Sequence, residues 1–229
     1  MSKKGFTLAE VLITLGVIGV VAAMTLPIVI ANYQKQVTVN RLKKVTSILQ
    51  QAFTMSKVDN GNTWEWDFGD RTPESNEKFF KKYLFPYIKI IKNCEPEKNS
   101  ECFSKYVYMF DEKTVQNEIN EKWSTFILAD GTAIASKLNS EELTFRVDIN
   151  GKKNPNRTAR DIFCYSMFIP VSPNDDILYQ NIYPCFIKYN RENIIKSNGS
   201  CASDKTSHGF GCSALIQQDG WKIAPDYPW

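Results

Sequence analysis

MSKKGFTLAEVLITLGVIGVVAAMTLPIVI, residues 1–30, is the stretch that decides how the rest of the chain is read. Residues 1–5 form a short polar leader with Lys3 and Lys4, and from Phe6 the sequence stays apolar through Ile30, with Glu10 as the one ionisable residue. As a helix rising 1.5 Å per residue, this run is roughly 37 Å long, enough to cross a hydrocarbon core of about 30 Å with some tilt. A carboxylate in such a segment is costly and persists only with a partner or a task, which makes Glu10 a candidate functional residue. Pro27 lies late in the run, where the missing N–H is expected to kink or loosen the helix. Ala9, Gly16 and Ala23 recur every seven residues, a small-residue stripe against which another helix can approach closely.

The helical pattern continues beyond the apolar run. Leu42, Val45, Ile48 or Leu49, and Ala52 or Phe53 recur at steps of three and four, with Lys35, Arg41, Lys43 and Lys44 among them. One helix over residues 6–57 would be roughly 78 Å long, membrane-spanning over 6–30 and amphipathic over 31–57. Its second half needs a surface to pack on, and a sheet from the same chain can supply one. The basic cluster reads as the solvated face of that helix. With 28 Lys and Arg against 25 Asp and Glu, the net charge of +3 gives no sign of nucleic-acid binding.

Gly5-Phe6-Thr7-Leu8-Ala9-Glu10 resembles the type IV prepilin signature: a glycine, an aromatic residue, a glutamate fifth in the mature chain and a long apolar run. The resemblance covers about the first fifty residues. It implies cleavage by a prepilin peptidase between Gly5 and Phe6 and methylation of the new amine on Phe6. It also implies Glu10 as an assembly contact to the amine of a neighbouring subunit. The partners that follow are other pilin or pseudopilin subunits, the peptidase, an inner-membrane assembly platform and the lipid bilayer. The location that follows is the cytoplasmic membrane, single-pass, with the N-terminus cytoplasmic and the head exported into a pilus, a pseudopilus or the cell surface.

The remaining chain, residues 58–229, reads as one exported head. Asp59-Asn60-Gly61-Asn62 should break the first helix, and Trp64 and Trp66 in the following turns should cap a core. Ser75 or Asn76 is the expected N-cap of a second helix with Phe79, Phe80, Tyr83, Leu84, Tyr87, Ile88 and Ile91 on one face, bent at Pro86. The period then changes to two. Strands are expected over 105–110, 124–129 turning at Asp130-Gly131 into 132–136, then 143–148, 162–169, 183–189 and 220–223. The fold class is therefore α+β, a long N-terminal helix packed on an antiparallel sheet.

Six cysteines, Cys94, Cys102, Cys164, Cys185, Cys201 and Cys212, all lie in the head. Short separations favour Cys94 with Cys102 and Cys201 with Cys212, leaving Cys164 and Cys185 on neighbouring strand candidates; disulfides of this kind belong to an oxidising compartment. Cys201, His208 and Cys212 offer a rival zinc set that lacks a fourth ligand. Between two expected strands, Asp148, Asn150, Asn154, Asn156 and Asp161 concentrate side-chain oxygens suited to calcium, although the spacing is not that of an EF-hand and the same residues build ordinary turns.

His208 is the single histidine, and neither a phosphate loop nor a nucleophile elbow occurs, so an enzyme is disfavoured. The leading expectation is a structural, minor subunit of a type IV pilus, competence pilus or type II secretion pseudopilus. The alternative is a secreted or membrane-anchored, disulfide-stapled binding module with an ordinary signal peptide ending near Val29-Ile30-Ala31.

Overall fold

The computed structural model describes residues 5, 7–110, 113–117, 119–120, 122–170, 172, 174–175, 181–196, 200–202 and 207–229. These fall into two compact units, Met1–Val37 and Thr38–Trp229. Helix α1, Leu8–Asn60, begins in the first and ends in the second.

In the first unit α1 presents its apolar side chains outward: Leu12, Ile13, Leu15, Val17, Ile18, Val20, Leu26 and Ile28 are all exposed. The segment is long and apolar enough to cross a membrane. The helix continues through Pro27 without interruption.

In the second unit α1 becomes amphipathic, and Thr38, Val39, Leu42, Val45, Thr46, Leu49, Ala52, Phe53 and Ser56 are buried along one stripe. That stripe packs on a six-stranded antiparallel sheet of order β1-β4-β5-β6-β7-β8. The strands are β1 (Ile90–Cys94), β4 (Ser124–Leu128), β5 (Ala133–Leu138), β6 (Glu142–Asp148), β7 (Ile162–Phe168) and β8 (Tyr183–Pro184). A small two-stranded sheet joins β2 (Val107–Tyr108) to β3 (Val115–Gln116).

Strand alternation sorts the side chains. Phe145 and Val147 of β6, with Phe163, Tyr165 and Met167 of β7, join the core shared with α1, and Phe53 meets Phe145 edge-on at 6.4 Å. The other face holds a second cluster in which Phe103, Met109, Trp123, Ala133, Ala135 and Ile162 pack together. One buried polar link ties α1 to the sheet: the Thr46 hydroxyl donates to the Leu42 carbonyl at 2.7 Å, so the Tyr165 hydroxyl, 2.7 Å from Thr46 Oγ1, donates to it.

Helix α1 ends where Gly61 takes φ +77°, a conformation in which a Cβ would lie 2.6 Å from Glu65 Oε2. Trp66 then folds back, stacked on Tyr83 at 4.6 Å, with its Nε1 donating to the Gly61 carbonyl at 2.9 Å.

Several elements differ from the sequence expectation. The second helix, α2, is Pro73–Tyr83, capped by Thr72 and not by Ser75 or Asn76; Pro73 at its first position and the Thr72 side chain accepting from Ser75 N fix its start. It stops before Pro86, and Ile90 and Ile91 belong to β1, since Leu84, Ile88 and Ile91 satisfy helical spacing while β-branched residues suit a strand equally well. The expected strand over 105–110 is shortened to β2. That over 183–189 stops at Pro184, because Phe186 adopts φ +67°. The expected strand over 220–223 is a turn with Gly220 and Trp221 at positive φ. Among the described residues, three α-helices were not anticipated: α3 (Asn99–Cys102), α4 (Arg191–Lys196) and α5 (Cys212–Gln218). Residues 212–216 of α5 are buried throughout, so no polar face marks the helix in the sequence.

The packing of α1 on β6 makes Phe53 the sharpest probe of the core. Phe53→Ala is expected to lower the unfolding free energy of the head by about 3–5 kcal/mol in urea titration of the full chain in detergent, with Tyr165→Phe costing only about 1 kcal/mol because the Thr46 hydroxyl keeps its Leu42 partner.

Candidate functional site

At its N-terminus α1 is closed by its own side chains. Thr7 is the residue before the helix and Glu10 its third position. Thr7 N and Thr7 Oγ1 both donate to Glu10 Oε2 at 2.8 Å, and Glu10 N donates to Thr7 Oγ1 at 3.3 Å. This is a reciprocal capping box, and it gives Glu10 a partner within its own chain. The T-x-x-E spacing that signals it is readable in the sequence, and Thr7 is the residue the sequence reading overlooked. Gly5 is exposed immediately upstream, with nothing within 4 Å of a would-be Cβ. Phe6 lies outside the described residues.

The oxygen-rich stretch forms the turn between β6 and β7. Asp148 is the last residue of β6, opposite Ile162 in the ladder. Gly151, at φ +69°, brings the turn so close to the preceding hairpin that a Cβ would lie 2.8 Å from the Gly131 carbonyl oxygen. Asp161 organises the loop: its Oδ1 accepts from Arg157 N at 2.6 Å, and its Oδ2 from Asn156 N at 2.9 Å and Asn150 Nδ2 at 3.3 Å. Asn156 Nδ2 donates to Asn154 Oδ1 at 3.2 Å. The five oxygen-bearing residues are thus brought together. Burial pushes the Asp148 carboxyl up to about 9, with the neighbouring Asp161 charge adding to the effect. Burial likewise raises Asp161, opposed by the donors on its two oxygens.

On the sheet face opposite α1 lies a cavity of about 610 Å³ bordered by Trp123, Thr144, Arg146, Phe168, Phe186 and Phe210. The Arg146 guanidinium lies 4.0 Å from the centre of the Phe210 ring, and Lys188 Nζ 4.0 Å from that of Phe168. Both cations lie over ring faces. Among the described residues no three His, Cys, Asp or Glu side chains gather as a metal-binding set.

Three disulfides close the head: Cys94–Cys102, Cys164–Cys185 and Cys201–Cys212. Cys201 and Cys212 therefore have no thiolate to offer a zinc ion, and the Cys201-His208-Cys212 set is set aside. Cys164–Cys185 attaches the chain after β8 to β7, while Cys201–Cys212 locks the start of α5, where Ser213 Oγ donates to the Cys164 carbonyl at 2.8 Å. Arg191 at the start of α4 clasps Asp219 and Asp226, with its Nη2 2.8 Å from Asp226 Oδ1.

Residues 28–229 match the model described as Family of unknown function (DUF6613). The chain belongs to that family. Residues 1–26 match the Prokaryotic N-terminal methylation motif. The amino-terminal segment of this DUF6613 member is therefore that of a type IV pilin-like or pseudopilin precursor, a membrane-anchored class that is structural and assembles with other pilins. No curated protein and no solved structure matches the chain.

The Cys201–Cys212 bridge fastens the start of α5. Replacing both cysteines with serine is expected to destabilise the DUF6613 head by about 2–4 kcal/mol in chemical denaturation, and non-reducing peptide mapping of untreated protein should recover the three bridged pairs and no free thiol.

Proposed function

We propose that this chain is a structural, minor subunit of a type IV pilus, competence pilus or type II secretion pseudopilus. The observation that carries the reading is the exposed apolar helix entered through Gly5 and the Thr7–Glu10 box, within the matched methylation motif. In this reading the peptidase cuts after Gly5 on the cytoplasmic side. The methylated amine of Phe6 becomes a positive charge at a helix N-terminus, and subunits join through their apolar helices with Glu10 of one facing the amine of the next. Disulfides throughout the head support its export.

Two substitutions separate processing from assembly. Gly5→Val is expected to leave full-length precursor in the membrane fraction, read by intact mass, because a branched side chain blocks a cleavage pocket shaped for glycine. The capping box gives Glu10 a competing role, and Glu10→Gln tests it, since glutamine serves the box equally well while removing the charge. Tagged Glu10→Gln expressed beside the unaltered protein should be cleaved normally yet be under-represented in sheared filaments by roughly 30-fold or more, the scale of losing one partner of a buried charge pair. Equal incorporation of Glu10→Gln would assign Glu10 to capping alone.

A further inference from the structure

We propose that the turn between β6 and β7 is a calcium site, formed by Asp148, Asp161, Asn150 and Asn156. The turn holds buried acceptors that no donor matches. Asp148 has 0% exposure, and its Oδ1 receives Asn150 N at 3.2 Å, while its Oδ2 has no hydrogen-bond partner. Asn156, 6% exposed, has a buried Oδ1 without a partner, and so does Asn150. The amide nitrogens of these two asparagines are already engaged, Asn150 Nδ2 by Asp161 and Asn156 Nδ2 by Asn154. Three buried oxygens are therefore left over in one turn. A proton on Asp148 would supply a single donor and leave at least one of them unmatched.

Two nearby cations, Arg41 and Lys152, are engaged elsewhere. Arg41 reaches the turn from α1, but its Nη1 donates to the Ile149 carbonyl at 3.3 Å, and its charge offsets only part of the burial of Asp148. Lys152 is turned toward the Ser100 carbonyl, 2.9 Å from its Nζ. Two carboxylates match the charge of a divalent ion, and all four contributed side chains are oxygen donors, which selects a hard cation over zinc or copper. An irregular turn that mixes carboxylate and amide oxygens suits calcium, which accepts six to eight ligands in flexible geometry, better than magnesium, which demands a near-ideal octahedron.

Such an ion would sit at the β6–β7 turn, close to the hairpin turn at Gly131 and the Arg41 contact to α1. It would fasten the end of the sheet to the helix-facing layer. This role is independent of whether the chain enters a filament.

The test uses the full chain purified in detergent, stripped with a chelator and divided into samples with calcium chloride, magnesium chloride or neither. Bound metal is measured by mass spectrometry after desalting, and unfolding is followed by tryptophan fluorescence. The expected result is about one calcium per chain, with Tm raised by roughly 5–10 °C at calcium a hundredfold above its Kd and by less in magnesium. Asp148→Asn keeps the shape and removes the charge. It should abolish calcium retention while leaving the metal-free Tm equal to or above that of the unaltered protein, because asparagine has the same shape and no charge to desolvate. A merely structural aspartate would give the opposite sign. No calcium retained and equal Tm with calcium and chelator would overturn the site, as would full calcium binding by Asp148→Asn; an equal response to magnesium would overturn the assignment to calcium.

Discussion

The head depends on one buried contact: a stripe of α1 laid across the inward face of β6 and β7. Val39, Leu42, Val45, Leu49, Ala52 and Phe53 supply the apolar side, and Phe145, Val147, Phe163, Tyr165 and Met167 the other. Without the sheet, the second half of α1 would expose this stripe to water; without the helix, so would the sheet. The Tyr165 hydroxyl shows how fully the contact is closed, since it lies at 0% exposure and has Thr46 as its partner. The same strands carry the second cluster, with Ala133, Ala135 and Ile162, on their other face.

Where residue spacing reports packing, the sequence was legible. The long helix, the antiparallel sheet and the four strands β4 to β7 follow from periods of 3.6 and 2 and from the Asp130-Gly131 turn. Spacing failed where burial surrounds an element, as in α5, or where an element is too short to show a period, as in α3, and it carried the strand at β8 past its end at Pro184. It also failed at Ile90 and Ile91, because β1 fully buries only Cys94 and has no alternation to read. In the N-terminal segment Glu10 stood out as a charge in an apolar run, whereas its bond to Thr7 was encoded in a four-residue pattern that the membrane argument obscured. In the oxygen-rich turn the residues were visible but their meaning was not, because turns and cation sites draw on the same side chains; burial and missing donors distinguish the two.

The last part of the chain is held by a different kind of force. After β8 regular structure is sparse, and Cys164–Cys185, Cys201–Cys212 and the Arg191 clasp on Asp219 and Asp226 take over from ladder hydrogen bonds. The Tyr227 hydroxyl adds a buried donor to the Ala159 carbonyl at 2.7 Å, bringing the C-terminal residues onto the loop before β7. Cross-links restrict the unfolded chain, so they stabilise segments too irregular to do so through their own secondary structure.

The two outermost strands have a consequence for crowding. β8 is two residues long and one of them, Pro184, has no N–H to offer; β1 breaks its pairing with a register shift between Ile90 and Lys92, and carries a lysine paired with Glu101. Both margins of the sheet are thus poor templates for a foreign strand. Heads brought side by side at high local density would meet through side-chain surfaces, and the backbone of one would not be recruited into the sheet of another.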